Sequence, residues 1–228
     1  MRKYKPQSGS ATRVAYGIEV AEGLRFFPET ADLAAPFAAL NTQLETIYLE
    51  RKAKERALIP IRAKVRFANF AFDAAVRGAA KTAEIADNGK KGALYKALFP
   101  EGLGTVVLPS GEGQAKAGRK FVELLTQSKA PGADAVRDQW LGKLTDAQGG
   151  LEESLGARTA AYADVAKTRA VEDAAKEDHE LAVERVMGQL RSIFPRDKAR
   201  WDVVFPSVQA RSSSGDEEVE VGEDEAAK

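Results

Sequence analysis

Residues 30–60 read TADLAAPFAALNTQLETIYLERKAKERALIP, and within them Leu33, Phe37, Leu40, Leu44 and Ile47 recur at alternating steps of four and three. That spacing puts all five on one side of a helix that turns every 3.6 residues, so the stretch reads as an amphipathic helix with Thr30 as candidate N-cap. Arg51, Lys54 and Leu58 continue the same rows, so the stripe faces a partner helix at its start and turns basic toward its end. Pro60 lacks an amide hydrogen and is tolerated in a first helical turn but not in an interior. It is therefore expected to mark a kink or a new helix.

Beyond Pro60, a second stripe runs through Ile61, Val65, Ala68, Phe72, Ala75 and Ala79, and Phe67 and Phe70 widen it. Arg62, Arg66, Asp73 and Arg77 lie on another face. Gly89 is a candidate C-cap, and a short helix over residues 90–99 stops at Pro100. A Gly-rich connector, residues 101–113, leads to a helical region over residues 114–129 that breaks at Pro131-Gly132 and resumes to about Ala147. Gly149-Gly150 reads as a turn. From residue 151 to 194 there is no proline and the glycines are only Gly156 and Gly188, which predicts the longest helix of the chain.

Alanine, the best helix former, occurs forty times and favours helix over strand throughout. The expected fold is all-α, an elongated up-down helical bundle of about four long helices. YKALFP (residues 95–100) and LRSIFP (residues 190–195) align and each follows two helical stretches, which raises the idea of two duplicated helical hairpins. An N-terminal arm of residues 1–30 is expected to hold a short extended piece over residues 14–20. Residues 31–206 are read as the bundle domain and residues 207–228 as a disordered acidic tail.

Composition narrows the function classes. A chain of 228 residues without cysteine has no disulfide, no thiolate metal site and no cysteine nucleophile. No apolar run suggests a signal-peptide core or a membrane span, so a cytoplasmic location and no membrane partner are expected. The net charge of zero conceals a division: residues 212–228 hold seven acids and one base, which leaves 33 bases against 27 acids in residues 1–211.

The stretch LPSGEGQAKAGRK, residues 108–120, places Gly113 and Gly118 at the spacing of a phosphate-binding loop, with TVVL before it like a strand. Arg119 and Lys120 then stand where that loop needs Lys and a hydroxyl, so the reading is a connector and a solvated helix start. His179, the only histidine, has Lys176 three residues before it, where a di-iron helix would carry Glu. The acids around it, Glu172, Asp173, Glu177, Asp178 and Glu180, read as a solvated face. No Gly-x-Ser-x-Gly elbow occurs. Trp140 and Trp201 read as packing anchors.

The basic run Arg51, Lys52, Lys54, Arg56, Arg62, Lys64 and Arg66 is the candidate polyanion-binding site, placed by the Pro60 break at one end of the bundle. The competing reading pairs these cations with acids of the long C-terminal helix. Neither aromatic interleaving nor a helix-turn-helix pattern was evident beside them. The sequence therefore points to a non-enzymatic structural, scaffold or adaptor protein, with a protein partner or a homo-oligomer and with no cofactor, catalytic or metal-binding residue assigned. The alternatives are nucleic-acid binding through residues 51–66, modulated by the acidic tail, and a ligand-binding or enzymatic bundle with an inter-helix pocket.

Overall fold

The computed structural model describes residues 3–206. Seven α-helices follow one another: α1 (Ser10–Arg25), α2 (Ala31–Ala86), α3 (Ala93–Leu98), α4 (Gly104–Val107), α5 (Gly111–Gln127), α6 (Ala133–Ile193) and α7 (Lys198–Val204), with a 3-10 turn at Pro28–Thr30. Among the described residues there is no strand, and the fold is a helical bundle. Four helices reach sixteen residues or more, and α6, with 61, is the longest.

Several local expectations are corrected. Residues 14–20 lie inside α1, not in an extended piece. No new helix starts at Pro60, because α2 runs through it for 56 residues. The ring is exposed, and the Arg56 carbonyl loses the amide donor that residue 60 would supply. Gly149 and Gly150 lie within α6, where glycine weakens a helix without ending it. Residues 105–107, expected to resemble a strand, belong to α4. Consequently the stretches on either side of Pro60, and those on either side of Gly149-Gly150, are each one continuous helix, whereas the expected break at Pro131-Gly132 separates α5 from α6. The expectation of a disordered tail over residues 207–228 lies outside the described residues.

The ends of the helices follow local chemistry. Asn88 sits at φ 60° and Gly89 at φ 78°, with Gly89 N–H donating to the Glu84 carbonyl at 2.7 Å and Asn88 N–H to Ile85 at 3.0 Å. This is the paired closure that satisfies the last carbonyls of a helix, and it ends α2. The Asp87 carboxylate then accepts from the amides of Leu94 and Tyr95, at 3.3 and 2.8 Å, and so opens α3. Thr30 is buried, and its hydroxyl donates to the Leu24 and Phe27 carbonyls, which ties the turn between α1 and α2.

The chain forms two compact units. The first has residues 3–56 and 164–206 in its described part, and the second has residues 57–163. Each takes one portion of α2 and one of α6. In the first, the core gathers Tyr16, Val20 and Leu24 of α1, Phe37 of α2, Val183 and Leu190 of α6, and Phe205. Trp201 anchors it by donating its indole N–H to the Phe194 carbonyl at 3.0 Å. In the second, Val65, Phe72, Val76 and Ala79 of α2 meet Phe99, Phe121 and Leu125, and Leu144 and Leu151 of α6. There Trp140 lies over Gly78, whose place an added Cβ would contest at 2.1 Å, and donates to the Thr82 hydroxyl at 2.8 Å. YKALFP and LRSIFP each bury their phenylalanine, Phe99 against Phe121 in the second unit and Phe194 against Phe27 in the first.

Candidate functional site

The basic run of α2 is taken up in several ways. Arg51 is nearly buried and pairs with Glu172 of α6, whose side chain is 1% exposed, and with Glu55 one turn on. Burial opposes the Arg51 charge, but the hydrogen bonds and charges of Glu172 and Glu55 outweigh it and hold the guanidinium above its ordinary value. The same balance acts on Glu172: burial opposes ionisation, while Arg51, the Ser10 hydroxyl and the Lys176 charge hold its pKa below the usual carboxylate range. Lys52 reaches Glu55 at 3.8 Å and Lys54 reaches Glu50 at 3.1 Å, both within the helix. In the second unit Arg62 donates to the Tyr162 hydroxyl at 3.0 Å. Arg56, Lys64 and Arg66 are exposed and have no ion pair among the described residues. The run also lies within a continuous helix, so Pro60 does not mark a bundle end at its centre.

His179 is fully buried in the first unit, and the acids near it are not one solvated face, since Glu172 is buried too. The Asn41 amide donates to the Val14 carbonyl at 3.2 Å, which turns its oxygen toward His179 Nε2 at 3.0 Å. Nε2 therefore carries the hydrogen, and Nδ1 accepts from the Tyr4 hydroxyl at 2.8 Å. Arg13 donates to the oxygen of Tyr4 at 3.3 Å, and its guanidinium lies over the Tyr4 ring at 4.6 Å. It also donates to the carbonyls of Pro6, Ser8 and Lys176 and pairs with Glu180 at 3.3 Å.

Burial, followed by the Arg13 charge, pushes the His179 pKa down to about 4, against a smaller opposing effect of Glu180. The imidazole is neutral and both nitrogens are engaged. Gly17 makes room for it, because an added Cβ would stand 2.9 Å from Nε2 and 2.0 Å from the Asn41 oxygen. With no exposed atom, this ring has no access to a solvent-borne substrate; it joins residues 4–13 to α2 and α6. Among the described residues no group of three or more acids or histidines could hold a metal ion.

The phosphate-loop-like stretch is helical from Gly111. Gly118 is buried against Phe72 and Gln148, where an added Cβ would clash, whereas Gly113 is exposed, and Arg119 pairs with Glu152 at 2.8 Å, so of the two glycines Gly118 serves helix packing.

A different surface emerges on α2 in the second unit. Phe67 and Phe70, expected to widen the buried stripe, are 71% and 68% exposed. They follow the exposed Lys64 and Arg66 on the same helix, so aromatic side chains do accompany part of the basic run. Phe67 and Lys64 border an open groove of about 620 Å³ whose other wall is α6, with Ala147, Gly150, Ser154 and Ala157 lining it and Asp146 and Glu153 at its rim. No helix among the described residues is long and apolar enough to cross a membrane, so these aromatics do not belong to a spanning segment.

Sequence reasoning missed Tyr4, Arg13 and Asn41. One signal was available for Asn41, which interrupts the stripe between Phe37 and Leu44 at a position of the buried face. In comparisons with protein-family models, curated proteins and solved structures, none matches this chain.

Proposed function

We propose that this chain is a cytoplasmic, non-enzymatic scaffold or adaptor that docks a protein through the α2 and α6 face of the second unit. The observation that carries the reading is the exposure of Phe67 on the groove wall, with Phe70 exposed three residues further along the same helix. Burying a phenylalanine side chain stabilises by about 1.5–3 kcal/mol, so an exposed ring on a concave, small-residue wall offers an anchor of the kind that dominates protein interfaces. The sealed His179 cluster supports a non-enzymatic role, because its hydrogen-bonding capacity is spent on holding the first unit together. The test is a photo-crosslinking amino acid at position 70 of the full chain in its native cell. A discrete protein adduct that disappears in Phe67→Asp is expected, and labelling unchanged by Phe67→Asp, or none at all, rejects the reading.

A second reading is favoured by one observation. Lys64 and Arg66 are exposed, unpaired among the described residues and adjacent to two exposed aromatic rings, which is a combination suited to a single-stranded polyanion. It predicts oligonucleotide binding that weakens steeply with salt, is lost in Lys64→Ala with Arg66→Ala, and strengthens when residues 212–228 are removed. Absence of binding by that truncated chain at low salt eliminates it.

A further inference from the structure

We infer that the occupant of the groove is a second copy of this chain, paired through a two-fold axis parallel to α2 and α6 of the second unit. The inference rests on the docking role proposed above. Within this unit the two helices run antiparallel, as Arg62 with Tyr162 and Thr82 with Gln139 demonstrate. They divide the features of an interface between them. The large apolar side chain and the cation, Phe67 and Lys64, stand on α2 and the acids, Asp146 and Glu153, on α6, while small residues line both walls, among them Ala68 and Ala71 on α2 and Gly150 on α6.

A two-fold axis along the helices lays α2 of each copy over α6 of the other and keeps every residue at its own height. Lys64 then faces the partner's Glu153 within one helical turn, and Phe67 faces the partner's Gly150. The same surface thereby supplies both halves of a complementary pair, which is the requirement of an isologous interface and not of an unrelated partner. Gly150 on the groove wall adds a further indication. It weakens the helix, yet a Cβ there would meet nothing within 4 Å in the chain. Internal packing does not require it, whereas close approach of a second helix does.

Sedimentation velocity on the full chain tests the inference by charge exchange. The wild type is expected to sediment as a dimer, and Lys64→Glu or Glu153→Lys alone to weaken dimerisation by about tenfold or more through like-charge contacts. An equimolar mixture of these two variants restores both pairs and should form a mixed dimer, and the double variant should dimerise with itself. Gly150→Leu should dissociate the dimer while leaving the helical circular dichroism intact. A wild-type monomer at micromolar concentration, or a dimer indifferent to both reversals, overturns the second-copy assignment. In that event a Phe67-dependent adduct with a different protein at position 70 keeps the docking role, and the absence of any adduct removes both.

Discussion

Two segments of one helix treat the same chemistry in opposite ways. In the first unit α2 buries Asn41 and nearly buries Arg51, whereas in the second it exposes Phe67 and Phe70. Polar groups are inside where α1 and α6 supply hydrogen-bond or ion-pair partners, as Val14 and His179 do for Asn41 and Glu172 does for Arg51. Aromatic groups are outside where no described helix covers the face. The difference teaches that residue type sets the cost of burial, and that neighbouring elements decide whether the cost is met.

The contrast breaks first at its most buried points. Glu172→Ala removes the buried carboxylate that Arg51, Ser10 and Lys176 share, leaving Arg51 only Glu55, and is expected to destabilise by about 3 kcal/mol, read by urea denaturation. Phe72→Ala, five residues from Phe67 on the same helix, is expected to cost about 3–5 kcal/mol. If either loss stays below about 1 kcal/mol, the first unit's ion pair or the second unit's core is not closed as described.

Next comes pH. The folded pKa of His179, about 4, lies below its ordinary value of 6.5, so the unfolded chain binds the proton more readily. The resulting stability is fully present above about pH 6.5 and is lost as pH falls toward 4, by up to about 1.4 kcal/mol per pH unit and about 3 kcal/mol in all. Glu172, also lowered, contributes its own loss mainly below the ordinary carboxylate value of 4.5, so the upper part of the window belongs to His179. Thermal melts of the wild type across this range should slope downward with acid, and His179→Gln should flatten the slope. An unchanged slope in the variant would contradict the buried neutral ring.

A smaller effect is expected between the two segments. Pro60→Ala restores an amide donor for the Arg56 carbonyl and removes a costly interior proline, partly offset by greater freedom of the unfolded chain, for a net gain of about 2 kcal/mol. The smallest expected effect is that of Phe67→Ser, within about 0.5 kcal/mol of wild type in dilute conditions where the chain is monomeric. A large loss there would mean that the ring is covered by the chain itself, and would remove the basis of the docking surface.

Much of the fold was legible because helix periodicity is local. The stripes Leu33 to Leu58 and Ile61 to Ala79 were drawn from spacing alone, and Phe37, Leu44, Leu58, Val65, Phe72 and Ala79 of those stripes are buried. The interruptions were misread because Pro60 and Gly149-Gly150 carry penalties of a few kcal/mol or less, which a long packed helix can absorb. The candidate site was less legible. The basic run was visible as composition, but Arg51 and Arg66 have the same side chain, and only the presence of Glu172 beside one and solvent beside the other separates them.

By itself, then, the sequence determined that the chain is helical, which residues share a helix face and where α2 stops at Asn88 and Gly89, since these depend on backbone geometry within a few residues. Only the tertiary structure decided that His179 is a sealed, neutral link among Tyr4, Asn41 and Arg13, and that Phe67 and Phe70 are exposed. Those outcomes depend on residues up to 175 positions apart coming together, as Tyr4 and His179 do. Periodicity assigns a face to a residue, but covering that face requires another element, and its placement is set by packing across the whole unit.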